Sequence, residues 1–232
     1  MTDEQQKELM LMSSKIKNKN TVQPKLRFPE FQDAGDWRER TLGEIAEILQ
    51  GYGFPEKYQG KTEGEYPFYK VSDISNSLQK GEYFITDSVN RIDRDTLKLL
   101  KAKLIPVGST IFAKIGEAIR LNRRAVTTLP CLVNNNVAAL KGIEGEAIDP
   151  FVYYTFSIIS LEDYSGGVVP SVNKSTMEAI LIASPKIPEQ QKIADCLSSL
   201  DELITAQSHK LDALKRHKKG LMQELFPTTH EG

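Results

Sequence analysis

The most regular hydrophobic pattern of this chain lies between Ile187 and Phe226. Apolar side chains recur there at alternating intervals of four and three residues, which predicts a coiled-coil helix, because an ordinary surface helix carries a broader apolar stripe. Two polar members of the pattern, Gln207 and Lys218, weaken pairing but can fix its register. The predicted seam consists of Ile193, Leu197, Leu200, Ile204, Gln207, Leu211, Leu214, Lys218, Leu221 and Leu225.

Prolines predict the limits of this helix. Pro185 and Pro188 disfavour helix before them, Pro188 suits a first helical turn, and Pro227 stops the run. We therefore expect a dimerisation or spacer helix within residues 185–227. At 1.5 Å per residue, about 38 helical residues span roughly 57 Å, which exceeds the width of a small domain. A helix of this length cannot bury its whole seam on one compact domain, so the pattern predicts a helical partner.

The charges along this segment are divided unevenly. From Ile187 to Ala206 one lysine stands against four acids, a net charge of −3, whereas from Gln207 to Phe226 five basic residues stand against two acids, a net charge of +3. Two copies laid antiparallel would place opposite charges side by side, and two parallel copies would not. An alternative is that the charges only complement the helix dipole, although the dipole accounts for the first and last turns alone.

The residues before this segment combine helical and strand patterns without a repeat. The capping box at Thr41 and Glu44 predicts a helix over residues 42–49. Asp149 and Pro150 predict another helix to about residue 159, with Asp149 as its N-cap, and Ser175 with Glu178 predicts one more capped turn. β-prone runs predict strands at 68–71, 83–85, 110–114, 124–127, 137–140 and 180–183.

These patterns predict an α+β fold: an irregular mixed α/β domain over residues 24–184, followed by one long coiled-coil helix. Residues 1–23 are polar with a basic run at Lys15, Lys17 and Lys19, which indicates an N-terminal helix or linker, and residues 228–232 form a short tail. A length of 232 residues suits one such domain with an appendage. The net charge of −1 does not by itself indicate nucleic-acid binding.

Few catalytic or targeting signals are present in the sequence. Cys131 and Cys196 lack the spacing of a metal site or of a disulfide framework. Gly60-Lys61-Thr62 resembles the end of a phosphate-binding loop, but Pro55 occupies the position of the first glycine. We therefore expect no catalytic residue, metal or cofactor. The absence of a long apolar run and of a basic N-terminal signal predicts a cytoplasmic protein.

Three polar segments are candidates for binding. Residues 114–124 carry four basic side chains against one acid, residues 132–136 include three asparagines, and residues 164–174 join a Gly-Gly turn to Ser, Asn and Lys. Arginine pairs bidentately with guanine or phosphate, and asparagine pairs with adenine in the major groove. Asparagine and glycine runs are also common in simple turns.

The order and spacing of several motifs resemble those of the specificity subunit of type I restriction–modification systems. The most specific motif is the run from Pro188 to Ala194, Pro-Glu-Gln-Gln-Lys-Ile-Ala, with Leu200-Asp201 after it. The other matching stretches are 24–31 with Trp37, 42–45, 66–74, 105–116, 122–125 and 133–136, so that the resemblance extends from about residue 24 to residue 226.

This resemblance implies a non-catalytic subunit in which a target-recognition domain reads one half of a split site in double-stranded DNA. It also implies a long helix that pairs antiparallel, sets the half-site spacing and docks methyltransferase subunits, with the restriction/translocase subunit as an indirect partner. A full specificity subunit has two such domains and two such helices. One of each implies a homodimer that reads a palindromic site, or a fragment of a longer subunit.

The resemblance locates the DNA-binding surface better than the individual contacts. Lysines and arginines are expected on phosphates, and asparagines on bases. The candidates are Lys70, Ser72, Lys114, Arg120, Asn122, Arg123, Arg124, Asn134, Asn135, Ser171, Asn173 and Lys174. The alternative function is a coiled-coil adaptor that binds protein without sequence-specific DNA binding. An independent nuclease or methyltransferase would need catalytic residues that the sequence does not provide.

Overall fold

The structure is a computed structural model that describes residues 21–226. The predictions for residues 1–20 and for the tail lie outside the described residues. The strands are β1 Thr21–Val22, β2 Trp37–Thr41, β3 Ala46–Gln50, β4 Tyr66–Tyr69, β5 Phe84–Ile85, β6 Arg91–Ile92, β7 Thr110–Ala113, β8 Arg124–Thr127, β9 Leu132–Val133, β10 Val137–Gly142 and β11 Leu181–Ser184. The helices are α1 Leu42–Ile45, α2 Val71–Gln79, α3 Arg94–Leu99, α4 Asp149–Ser157, α5 Lys174–Glu178 and α6 Ile187–Leu225.

The strands of the described part form three small sheets. The central sheet has the order β3-β10-β7-β8-β5 and is antiparallel except where β5 pairs with β8. A second sheet, β1-β2-β11, is antiparallel, and the third, β6-β4-β9, combines an antiparallel with a parallel pair. The predicted α+β fold is confirmed.

Both faces of the central sheet are buried. Phe112 and Leu140 pack on one side with Phe156 of α4 and Met177 of α5. The neighbouring strand positions point the opposite way, where Ile111 joins a second cluster that includes Ile74 of α2. Alternate side chains of a strand lie on opposite faces, so this sheet forms the centre of the domain and its strand ends carry the loops.

The prediction of a helix over residues 42–49 was wrong in its length. The capping box is present, since the Thr41 backbone N–H donates to Glu44 Oε2 at 2.6 Å, but α1 ends at Ile45. The chain then pairs with β10 as strand β3, in which Ala46 and Ile48 are buried and Glu47 between them is exposed. Period-two burial in the central sheet thus prevails over local helix propensity.

Two predicted caps were also misplaced. Ile148, not Asp149, is the N-cap of α4, because the Asp149 carboxylate accepts from the Gly142 backbone N–H at 2.9 Å and pairs with Lys141. Asn173, not Ser175, caps α5 and accepts from the Thr176 N–H at 2.9 Å. Helices α2 and α3 and strands β1, β2, β6 and β9 were not predicted.

The long helix is confirmed, and its first turn is fastened to the domain by two buried polar side chains, Glu189 and Gln190. Glu189 accepts from both Arg27 Nε and Nη2 at 2.7 Å and from Trp37 Nε1 at 3.0 Å. Gln190 is fully buried and bonds the Glu146 and Pro185 carbonyls and the Ile148 N–H. Glu189 and Gln190 of the sequence motif therefore attach the long helix to the domain, and we call this pair of residues the latch.

From Leu200 onward the seam residues are exposed. Between 43 and 72% of the surface of Leu200, Ile204, Leu211, Leu214, Leu221 and Leu225 is accessible. A run of half-buried residues on another face, including Asp201 and Thr205, lies against the domain. The helix thus rests on its own domain with one face, and the described residues leave its heptad seam uncovered from Leu200 to Leu225. Within residues 21–226, no helix is both long and apolar enough to cross a membrane.

Candidate nucleic-acid interface

Backbone hydrogen bonds join four sequence-distant segments into one continuous surface, which we call the loop row: residues 69–72, 114–116, 134–136 and 166–172. The Asn134 N–H donates to the Tyr69 carbonyl at 3.0 Å, and the Lys114 N–H donates to the Asn136 carbonyl at 2.9 Å. The Val172 N–H then donates to the Lys114 carbonyl at 3.0 Å. The three polar segments singled out in the sequence therefore meet through this row.

Close backbone approach fixes the centre of the loop row. A Cβ at Gly51 would lie 1.9 Å from the Asn134 carbonyl oxygen, so only glycine fits there. Asn134 is half-buried, and its Oδ1 has no hydrogen-bond partner among the described residues. The next two residues, Asn135 and Asn136, are exposed, which leaves Asn135 as the accessible member of the candidate pair.

Lys114 and Lys70 lie on either side of the Asn134 turn. Lys114 Nζ is half-buried and donates to Gln50 Oε1, and burial lowers the pKa of this amine. Lys70 Nζ donates to Gln59 Oε1 at 2.7 Å and lies 5.5 Å from the Phe54 ring centroid. Neither lysine is held by a carboxylate among the residues described, so both cations remain available to an anion.

The candidate residues between positions 120 and 124 lie in different environments and have different roles. Arg120 is exposed but paired with Glu117 at 2.8 Å and Glu162 at 3.0 Å. Asn122 adopts a left-handed backbone with φ of 47°, and its Oδ1 accepts from Arg124 Nη2 at 2.6 Å. Asn122 is therefore a turn residue that also orients a buried side chain.

Arg124 is only 4% exposed and lies in the core. Its guanidinium is 4.3 Å from the Phe156 ring centroid and donates to the Ile159 carbonyl at 3.3 Å. Burial lowers the pKa of Arg124 to about 9, which still leaves the group charged at neutral pH. In this fold Arg124 stabilises the domain and does not reach the surface, contrary to its selection as a DNA contact. Arg123, by contrast, borders Val71 and Ser75 of α2, beside the loop row.

The last candidate segment contains one structural residue and two accessible ones. Asn173 is the N-cap of α5, so its side-chain oxygen already accepts from Thr176. Ser171 is exposed and pairs through its backbone with Ile115 and Gly166. Lys174 is exposed and stands 3.6 Å from Glu178.

Sequence reasoning missed an apolar tip and a basic extension. Val168 is fully exposed and Val169 is 60% exposed, at a turn in which Gly167 has φ of 92°. The sequence signal for the apolar tip was the Gly-Gly-Val-Val run, in which two β-branched residues directly follow a turn. Lys57 and Lys61 lie 4.8 and 5.4 Å from the Tyr58 ring, next to the Gln59 that bonds Lys70.

The fold and the loop row define a mixed α+β binding domain carried by a long helix with a free seam. Residues 34–216 match the family described as type I restriction modification DNA specificity domain. The chain is 24% identical over 200 residues to the type I restriction enzyme MjaIX specificity subunit of Methanocaldococcus jannaschii. That alignment covers 82% of this chain and 44% of the relative.

Solved structures share the fold. A chain from a study of complex assembly and conformational transition of the type I R-M system matches with a TM-score of 0.60 at 17% identity, over 95% of this chain and 51% of that one. The type I S subunit from M. genitalium matches with a TM-score of 0.56 at 18% identity, over 88% of this chain and 47% of that one.

The chain therefore belongs to the family of type I restriction–modification specificity subunits and contains one target-recognition domain. Membership in this family supports a role in recognising DNA sequence, and specificity subunits are generally non-catalytic. The family resemblance inferred from the motifs is confirmed. The chain spans less than half the length of the curated relative described above.

Proposed function

We propose that this chain is the non-catalytic DNA-recognition subunit of a type I restriction–modification complex, and that its domain reads one half of a bipartite site. The observation that carries this proposal is the loop row, in which segments far apart in sequence present Lys70, Lys114, Asn135 and Ser171 along one bonded surface. Cations that engage phosphates and amide or hydroxyl groups that read bases are the two components of specific DNA recognition.

The proposed contacts are a subset of the sequence candidates. Lys70, Lys114, Arg123 and Lys174 contact phosphates, and Ser72, Asn135 and Ser171 contact base edges. Arg120 can contribute after exchanging its carboxylates for phosphate. Asn122, Arg124, Asn134 and Asn173 support the surface from behind through the turn, core and cap contacts described above.

The exposed valine tip extends this surface. Val168 and Val169 follow directly on Gly166-Gly167, whose backbone pairs with Ser171 in the loop row. Aliphatic groups contact the thymine methyl in the major groove or wedge between base steps in the minor groove. We assign this tip an apolar contact with a base pair of the half-site.

The helix supplies the geometry of the second half-site. An antiparallel pairing of two α6 helices places the −3 half of each helix beside the +3 half of the other and covers the exposed seam. The pair separates two recognition domains by a fixed distance and offers a platform for methyltransferase subunits, to which the restriction/translocase subunit binds in turn. A homodimer of this kind reads a palindromic bipartite site.

The experiment that tests this function is reconstitution of the chain with its methyltransferase subunit, followed by mapping of methylated adenines in genomic DNA. The proposal expects methylation at one split sequence with a constant spacer and two-fold related halves. Methylation that does not depend on the chain, together with sequence-independent binding, would instead support the protein-binding adaptor.

A further inference from the structure

An apolar groove of about 420 Å³ lies at the base of the long helix, outside the loop row. One wall is formed by Leu26 and Phe28 of the segment before β2 and by Trp37 at the start of β2. The other wall contains Ile193 and Leu197, the first two residues of the seam. Leu26 is 90% exposed at the rim. The groove is therefore continuous with the surface that is proposed to pair with a second helix.

Polar contacts at the floor of the groove hold its walls in place. Arg27 donates twice to Glu189, and Trp37 donates to the same carboxylate. Burial opposes the charge on Glu189, but these bonds outweigh it and hold the pKa of the carboxyl below its ordinary value. Because Glu189 is occupied by its own donors, the groove offers an occupant apolar contacts and no free ionised group in its floor.

The opposite end of the helix carries apolar side chains that residues 21–226 of its own chain leave uncovered. Leu225 is 72% exposed and Phe226 is 68% exposed, where the helix ends at a C-cap of extended backbone. Two large apolar residues at the tip of a 39-residue helix lie far from the core of their own domain.

The seam itself indicates which residues meet when two copies pair antiparallel. If the two-fold axis lies midway between Gln207 and Leu211, all ten seam positions find a seam position opposite. Ile193 then lies opposite Leu225, and Leu197 opposite Leu221. This register also sets the −3 half of each helix against the +3 half of the other.

We infer that the groove between Leu26, Trp37 and Ile193 receives the Leu225-Phe226 end of a second copy of this chain. The inference rests on the antiparallel pairing in the proposed function and adds the contact that terminates it. By two-fold symmetry the contact occurs twice in each dimer. A seam with two polar positions permits slippage, whereas a helix tip held in a preformed groove fixes the register and hence the distance between the two reading heads.

Cysteine cross-linking tests this contact directly. Cys196 is exposed beside the groove and Cys131 is buried, so the wild-type chain offers one reactive thiol among the described residues. In the inferred register Glu224 of the second copy lies next to Cys196, and Gln223 points outward from the seam. A short bismaleimide should link the dimer of Glu224→Cys and fail to link wild type or the matched control Gln223→Cys.

Each outcome has a distinct meaning. Cross-linking of wild type through Cys196 would indicate parallel helices and overturn both the antiparallel pairing and the groove contact. A dimer in which Glu224→Cys and Gln223→Cys react equally poorly would overturn the register and the groove contact but leave dimerisation intact. A chain that remains monomeric by sedimentation at high micromolar concentration would overturn the groove contact, while methylation mapping decides DNA recognition separately.

A thermodynamic test uses side chains whose removal leaves the domain folded. Leu26→Ala and Phe226→Ala should each raise the dimer dissociation constant about tenfold, the usual effect of losing an apolar anchor at an interface. In the double variant the dissociation constant should rise by less than the product of the two single fold-changes, because both substitutions remove the same contact. The control Leu99→Ala, at a leucine that is 66% exposed, much like Phe226, and remote in sequence from the groove, should leave the constant unchanged. Unchanged dimerisation in Leu26→Ala and Phe226→Ala would show that the groove has another occupant.

Discussion

Tyr154 of α4 donates its hydroxyl proton to Asp201 of the long helix, with Oη 2.7 Å from Oδ2. Burial and this bond both raise the pKa of the tyrosine hydroxyl, which stays protonated as a donor. Thr205 adds a longer contact of 3.4 Å with the Gly81 carbonyl one turn further along. The helix is thus fixed to the recognition domain beyond its first turns, which the proposed spacer role requires.

Removal of the Tyr154 hydroxyl should loosen this attachment. Tyr154→Phe is expected to lower the free energy of unfolding by about 1 kcal/mol, the usual net contribution of a hydrogen bond. Urea denaturation followed by circular dichroism measures the change. Tyr164→Phe, on an exposed 3₁₀ turn, provides the control and should have no effect. Equal stabilities of the two variants would contradict a role for the Tyr154–Asp201 bond.

Two neighbouring arginines should behave differently when replaced. Arg123→Ala is expected to weaken DNA binding and to reduce the slope of log affinity against log salt by about 1, without loss of stability, since it removes one phosphate contact. Fluorescence anisotropy over a salt series measures the slope. An unaltered slope would remove Arg123 from the interface.

Arg124→Ala should instead destabilise the domain. Truncation removes the cation from Phe156 and leaves a cavity, with an expected loss of about 3 kcal/mol, as for other large buried side chains. The folded fraction should retain the salt slope of the wild type. A stable Arg124→Ala domain with a reduced slope would place this side chain at the DNA after all.

Acid stability should depend on Glu189. Its folded pKa lies below the ordinary value of 4.5, so the unfolded chain takes up the proton first. The stabilisation is therefore complete above the ordinary pKa and is lost as the pH falls through the folded value. Glu189→Gln should unfold at a lower temperature at neutral pH, and the difference from wild type should shrink on acidification. Glu47→Gln, at an exposed position of β3, should follow the wild type at every pH.

The seam can be tested without disturbing the domain. Ile204 is 63% exposed in the monomer, so Ile204→Asp should leave thermal unfolding of the domain unchanged while placing a charge at a buried position of the paired helices. Sedimentation should report a monomer at concentrations where the wild type is a dimer. Persistence of the dimer would exclude the heptad seam as its interface.

The exposed Val168 side chain at the Gly-Gly turn should contribute to base specificity. Val168→Ala and Val168→Ser should leave the salt slope unchanged, because no charge is removed, and should relax discrimination at one base pair of the half-site by about 1 kcal/mol. Binding measured across a set of single-base variants identifies the position. A uniform loss over all sites would mean that the tip contacts the backbone.

The sequence by itself determined the features that depend on local pattern. The heptad interval and its flanking prolines predicted α6 to within a residue or two, because a 39-residue periodic run has no competing structure. Six of the eleven described strands were predicted with small errors at their ends, whereas β1, β2, β6 and β9 were not predicted and β3 was predicted as helix. The run of motifs around Pro188-Glu189-Gln190 determined the family, and the latch formed by Glu189 and Gln190 gives a physical reason for those two polar residues.

Tertiary structure decided the features that depend on neighbours distant in sequence. Residues 46–50 became a strand because β10 offered a pairing partner, although the local pattern favoured helix. Arg123 and Arg124 have the same chemistry in sequence, and only the packing of Phe112 and Phe156 buried one of them. Likewise, hydrogen bonds between segments as far apart as Tyr69 and Asn134 assembled the loop row. Burial and pairing are properties of the folded chain. They therefore decide which candidate DNA-binding residues are accessible, which the sequence alone could not determine.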